Sequence, residues 1–173
     1  VMLVSHDRAL LREVCDEFEG DDRVLLGEVF GPSKVLRRYI QDDGREGLHL
    51  VFLFGFLASP YKAEKYRQLI SRFERTFPAP LQPTYVLENH DRARSLSRVG
   101  GDLDRARVLA TLLCTLRGVP VIYQGQEIGM TNKYIPIAQA QDPVAHVVAK
   151  RIPEFVNKRL PERFNRDEVR TPM

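Results

Sequence analysis

The chain has 173 residues, 43% hydrophobic and 28% charged, which is the ordinary composition of a soluble globular protein with room for one sizeable core. Its 26 basic and 23 acidic side chains are interleaved rather than gathered into a stripe, so the composition argues against nucleic acid as a partner. No apolar run reaches membrane-spanning length and no secretory leader is legible.

Val1–Val4 is a short β-branched run, after which Ser5-His6-Asp7 can cap a helix to about Phe18, with Leu10, Leu11, Val14, Cys15 and Phe18 at helical spacing. Val24-Leu-Leu26 reads as a buried strand ending in Gly27-Glu28. Ser33 is placed to cap a helix to about Gln41, closed by Asp42-Asp-Gly44. Leu48–Phe56 is almost unbroken in apolar character, and a strand without polar alternation is buried on both faces, as in a parallel sheet or barrel. Residues 62–77 follow as an amphipathic helix, with Tyr66, Leu69, Ile70, Phe73 and Phe77 on one stripe. A strand at 84–88 comes next, then a helix capped at Gly100-Gly-Asp102 and carrying Leu103, Ala106, Leu109, Leu112, Leu113 and Leu116. Val119–Tyr123 is the last strand.

From residue 23 to 130 strand and helix alternate, which implies right-handed βαβ units on a parallel sheet, about four of them. Beyond Thr131 periodicity fades, prolines punctuate the chain, and only short helices near 144–150 and 153–160 are expected. Four strands cannot close an eight-stranded barrel. The expected fold is therefore α/β, part of a (β/α)8 barrel, with an irregular C-terminal extension. A lone half would leave two sheet edges open to self-association. The chain begins at Val1 and finishes in Arg170-Thr-Pro-Met173, so it is expected to be a piece of something longer. Three segments are expected: 1–18, 19–130 as half a barrel, and 131–173 as the extension. Cys15 and Cys114 both sit in helix-like apolar patterns, so buried free thiols and a reducing, cytoplasmic setting are expected. No Cys and His spacing suggests a metal site.

Strands of α/β barrels carry their chemistry at their C-terminal ends. Glu28 follows one strand directly, as a helix cap or a surface ion-pair partner, or as a carboxyl placed to donate a proton. Glu88-Asn-His-Asp-Arg-Ala-Arg94 follows another, as a solvated turn or as a polar cluster that carries a second carboxyl, Asp91. Two carboxyls at one barrel mouth are the equipment for cleaving a glycosidic bond. His90 and Arg94 are donors suited to sugar hydroxyls or to holding a carboxylate ionised. Glu127 is read as a hydrogen-bonding residue at the end of the last strand, His6 as a cap contact, and His49 and His146 as structural or exposed.

Leu26-Gly-Glu-Val29, Val86-Leu-Glu-Asn-His-Asp-Arg-Ala-Arg94, Gly118-Val-Pro-Val-Ile-Tyr-Gln-Gly-Gln-Glu127 and Asn165-Arg-Asp-Glu-Val-Arg-Thr-Pro-Met173 resemble the α-amylase family, glycoside hydrolase family 13. The last of them is most similar to its α-glucosidase and oligo-1,6-glucosidase branch. The resemblance implies that Glu28 is the general acid/base and Asp91 the transition-state-stabilising carboxylate. It also implies that His90, Arg94 and Asn89 are substrate-binding or carboxylate-orienting residues, and that the substrate is an α-glucoside oligosaccharide. No cofactor is implied by this segment; calcium in the full-length family enzyme is held mostly by its other half. The family's nucleophilic Asp, in a motif Gly-Phe-Arg-x-Asp, has no match here, nor has an earlier Asp-x-x-x-Asn-His motif. The chain alone is thus expected to be inactive and to need the N-terminal half of the barrel as its partner. A transglycosylating or isomerising relative (trehalose synthase, sucrose isomerase), or a non-catalytic sugar-binding half-barrel, is the alternative. Residues 1–18 instead resemble the switch-histidine segment of an ABC-type ATPase, yet the chain has no P-loop to hold a nucleotide.

Overall fold

The computed structural model describes residues 2–3, 24–40, 47–149, 154–157 and 165–173. Five strands, β1 (Met2–Leu3), β2 (Leu26–Gly27), β3 (Leu50–Leu53), β4 (Thr84–Val86) and β5 (Val119–Val121), form one sheet in chain order. β1 to β4 pair in parallel: Met2 opposes Leu26, Leu26 opposes Leu50, and Phe52 opposes Thr84. A sheet whose sequence neighbours are also its spatial neighbours has the singly wound order of a (β/α)8 barrel. A doubly wound sheet would reverse its order at a switch point. The fold is therefore α/β and a partial barrel. Alternation from residue 23 to 130 predicts four strands, and Met2–Leu3, within the β-branched run Val1–Val4, is a fifth. The helix expected at 7–18, with His6 and Cys15, falls outside the described residues, as does the break at 42–44.

By contacts the chain divides into two units, residues 1–86 with 116–120, and residues 87–115 with 121–173. The first carries nearly all of the sheet and, among the described residues, the helices α1 (Ser33–Leu36) and α2 (Ala63–Thr76). Its core is aromatic. Phe56 packs edge-on to Tyr66 at 5.1 Å and stacks on Tyr85 at 5.2 Å, with Phe73 tilted against Tyr85 at 6.1 Å. Burial, then the Glu74 carboxylate that accepts from the Tyr85 hydroxyl at 3.3 Å, raises the phenol above its ordinary value. Arg117 closes the end of α2: it donates to the carbonyls of Phe77 (2.7 Å) and Leu81 (2.6 Å) and pairs with Glu74. Gly118, at φ +126°, allows the chain to pass against the Pro83 carbonyl, which a Cβ would strike.

Three local readings change here. The helix predicted to run from Ser33 to Gln41 stops at Leu36, continues as a tight 3-10 turn over Arg37–Tyr39, and yields to a parallel bridge between Ile40 and Leu48. Burying Ile40 beside Leu48, with the Leu48 amide bonded to the Tyr39 carbonyl at 2.7 Å, outweighs another helical turn. Ser33 is not the cap; Pro32 holds that place without a side-chain bond. The nine-residue apolar strand is four residues long and then turns through a 3-10 segment, Phe54–Phe56, which sends Phe56 into the core. His49 is exposed, and its Nδ1 accepts from the Leu25 amide at 3.0 Å.

The second unit contains α3 (Ser95–Arg98), α4 (Leu103–Thr115), α5 (Pro143–Ala149) and α6 (Glu154–Asn157). Asp102 caps α4 as predicted, its Oδ1 accepting from the amides of Asp104 and Arg105 at 3.0 and 3.1 Å. Of the predicted stripe, Leu109 and Leu113 are buried and Leu103 is exposed. Cys114, expected to be buried, is an exposed free thiol. It follows buried Leu113 by one residue, about 100° round the helix. Among the described residues no helix is long and apolar enough to cross a membrane.

Candidate active site

The chain leaves β4 into a loop built on charge. Glu88 and Arg94, six residues apart, are 1% and 0% exposed. Arg94 Nη1 lies 3.3 Å from Glu88 Oε1, while Glu88 Oε2 accepts from the Ser95 amide at 2.5 Å and the Ser95 hydroxyl at 2.6 Å. Each carboxylate oxygen thus has a partner, as burial of a charge demands. Arg94 also donates to the carbonyls of Gln124 at 2.8 Å and Val169 at 3.0 Å and lies 4.9 Å from the centre of the Tyr123 ring. Gly125, at φ +80°, keeps its Cα bare where a side chain would meet Met130 and Arg94. One guanidinium therefore ties the β4 loop, the turn after β5 and the C-terminal segment together.

Held up by that pair, the loop turns through Asn89, whose Oδ1 accepts from the Asp91 amide at 3.0 Å. Asp91 is left with its side chain 30% exposed. Its Oδ1 accepts from Arg166 Nη1 at 3.0 Å and Arg170 Nη2 at 2.9 Å, and its Oδ2 is 3.6 Å from His90 Nε2. Arg170 Nε also donates to the His90 carbonyl at 3.0 Å. The arrangement is a carboxylate that accepts on one oxygen from two guanidiniums, with the other oxygen toward an exposed imidazole.

The two arginines come from Arg166–Val169, a 3-10 turn, and the residue after it. Asn165 accepts from the Asp167 amide and donates to the Ile135 carbonyl at 3.1 Å. Asp167 Oδ2 accepts from the amides of Gln141 (2.6 Å) and Asp142 (3.0 Å). Asp142, with a fully buried side chain, takes Arg166 in a two-point grip, Nε to Oδ2 at 2.8 Å and Nη2 to Oδ1 at 2.7 Å. Those bonds, with the amides of Val144 and Arg166, hold its carboxyl well below the usual carboxylate range against the opposing effect of burial. Arg166 in turn is raised above its ordinary value, first by Asp142 and then by Asp91.

A carboxyl depressed in the folded state stabilises it above its unfolded value, about pH 3.9, and that contribution is lost as pH falls through the folded value. Below about pH 4 the stability should decline by up to about 1.4 kcal/mol per pH unit from this group. Asp142→Asn should flatten that acid limb in denaturation curves recorded between about pH 2 and 5.

Glu28, in the other unit, follows β2 directly and is half-buried. It does not cap α1, which has no side-chain cap. Phe30, exposed two residues on, stacks on Phe54 at 4.8 Å. Among the predicted residues, Asn89, His90, Asp91 and Arg94 are brought onto one loop. Asn89 shapes the turn, and His90 presents an exposed ring. Arg94 is buried, and the carboxylate it orients is Glu88. Glu127 is exposed in the turn after β5, and His146 Nε2 contacts the Ala140 carbonyl at 2.9 Å. Sequence reasoning missed Glu88, Asp142, Arg166 and Arg170 as parts of the site. The signal available was the two arginines four residues apart in the Asn165–Met173 motif. Among the described residues no cluster of His, Cys, Asp and Glu could hold a metal.

The family model "Alpha amylase, catalytic domain" matches residues 5–173, a span that takes in all but the first four of residues 1–18, for which an ATPase resemblance was expected. Maltase A1 of Drosophila melanogaster is 36% identical over 141 residues, 78% of this chain and 24% of that protein. Oligo-1,6-glucosidase of Parageobacillus thermoglucosidasius is 27% identical over 184 residues, 94% of this chain and 32% of that protein. Trehalulose synthase MutB from Pseudomonas mesoacidophila MX-45 superposes with a TM-score of 0.76 at 28% identity, over 95% of this chain and 34% of that one. The chain spans roughly a quarter to a third of these relatives.

Proposed function

The chain belongs to the alpha-amylase family, and we propose that it supplies the acid/base and the transition-state-stabilising carboxylate of a retaining α-glucosidase acting on oligosaccharides. Asp91 carries the reading: after the C-terminal end of β4, two guanidiniums and an imidazole face one carboxylate that stays partly open. A carboxylate so held can balance the positive charge that develops on an oxocarbenium-like sugar. Glu28, after the C-terminal end of β2, gives its proton to the departing glycosidic oxygen and then takes one from the attacking water. His90 is placed to donate to a sugar hydroxyl, with Asn89 and Arg94 fixing the loop that presents it.

Retention needs a nucleophile roughly 5 Å from the acid. The sequence holds no Gly-Phe-Arg-x-Asp motif, so the covalent intermediate would form on an Asp from the N-terminal half, and this chain by itself would be inactive. The chemistry runs on carboxyl groups and calls for no cofactor. The exposed thiol of Cys114 fits a reducing, cytoplasmic setting.

Similarity to a trehalulose synthase favours a second reading, in which a sugar hydroxyl replaces water as acceptor on the same intermediate. A half-barrel that only binds sugar, or self-associates through the β1 and β5 edges, is the non-catalytic alternative. Product analysis by NMR separates them. The full-length enzyme should release α-glucose first from an aryl α-glucoside. Initial β-glucose would refute retention, rearranged disaccharide from sucrose would select the isomerising reading, and no turnover would leave the binding module.

A further inference from the structure

Asp142 has no place in the roles assigned above, yet its two oxygens accept from Nε and Nη2 of Arg166 and from the amides of Arg166 and Val144. Resting on the reading of Asp91 as the stabilising carboxylate, we infer that Asp142 is a positioning residue, which aims Arg166 at Asp91 by gripping the guanidinium along its Nε–Nη2 edge. A guanidinium is planar and rigid, with five N–H bonds in fixed directions. Fixing Nε and Nη2 on one carboxylate, at 2.8 and 2.7 Å, fixes where Nη1 points, and Nη1 meets Asp91 Oδ1 at 3.0 Å. Asp142 also holds the Arg166 backbone, accepting from its amide at 3.0 Å. Its own main chain is anchored by Asp167, and its side chain is wholly buried, so the grip is stiff. Arg170, the other cation on Asp91, pairs with no second carboxylate among the described residues, and the other bond of its side chain goes to the His90 carbonyl. The two arginines are therefore unequal: Arg166 is pre-aimed, and Arg170 follows the loop.

Asp142 also accepts from the Val144 amide at the start of α5, so a purely structural role has to be separated from a positioning one. Asp142→Asn keeps an oxygen for that amide while turning an N–H donor toward Arg166 Nε. In the full-length enzyme, assayed with an aryl α-glucoside well below its melting temperature, Asp142→Asn should lower kcat by about tenfold to a hundredfold, with KM little changed. In an Arg166→Gln background the same substitution should add nothing further, because its effect passes through Arg166. Asp142→Glu should restore part of the loss. Independent losses that multiply in the double variant, or equal effects on kcat and KM, would overturn the inference.

A second readout needs no activity. The Arg166 Nε–Hε NMR signal, assigned by its disappearance in Arg166→Lys, should be sharp in the parent protein and broadened or shifted in Asp142→Asn. An unchanged signal would overturn the grip. If Asp142→Asn does not fold, Asp142→Glu carries both measurements, with a smaller fall in kcat and a smaller change of the signal expected, and no change in either overturning the inference. If the parent enzyme turns over no α-glucoside while the signal responds, the glucosidase reading fails and the aiming of Arg166 stands.

Discussion

Glu88→Ala should be the most destabilising single substitution in the β4 loop, at about 3–5 kcal/mol, because it strands the Arg94 guanidinium in a buried site without its counter-charge. It also removes the acceptor from the Ser95 amide and hydroxyl at the start of α3. Replacing both partners with apolar residues, Glu88→Leu with Arg94→Met, should recover only part of the loss. A simple ion pair is often dispensable in that way, but Arg94 also satisfies the Gln124 and Val169 carbonyls. Chemical denaturation of the single and double variants measures both. A Glu88→Ala cost below about 1 kcal/mol, the range of a surface pair, would contradict the burial of this charge.

Substitution of the two proposed catalytic carboxyls should be tested for different fingerprints, not for loss alone. Asp91→Asn keeps the shape and removes the charge, so in the full-length enzyme kcat should fall by about 10²- to 10³-fold whatever the leaving group. Glu28→Gln should cost about 10²- to 10⁴-fold on alkyl glucosides and maltose-like substrates, whose leaving oxygens need a proton. It should cost far less on an aryl glucoside with an acidic phenol. Steady-state kinetics across a leaving-group series distinguishes the two. The same leaving-group dependence in both variants would show that one of the assigned roles is mistaken. Asp91→Asn should leave stability nearly intact, since Arg166 keeps Asp142 as its partner and Arg170 is on the surface.

Where the sequence was readable, a single physical signal dominated. The apolar run from Leu48 announced a strand buried on both faces, and the spacing of Tyr66 and Phe73 announced α2. Abrupt polarity after Leu87 marked the site loop. What pattern could not show was the partners across distance. Arg166 reaches Asp91 over 75 residues and Asp142 over 24. Segment 131–149 has no hydrophobic period because side chains of Asn165, Asp167 and Asp142 pair with backbone amides and carbonyls there. Glu88 and Arg94 stand among loop-forming polar residues, where charge ordinarily means solvent, and only the fold shows that both are sealed. Cys114 failed the other way, as an apolar type on the outer side of α4.

The most direct measurement is release of nitrophenol from an aryl α-glucoside by the 173-residue chain alone, by the N-terminal half alone, and by the two combined. Turnover is expected only in the combination, and it should fall by about 10²- to 10³-fold when Asp91 is changed to Asn in this chain. Turnover by the chain alone, or turnover of the combination that survives Asp91→Asn undiminished, would contradict the assignment.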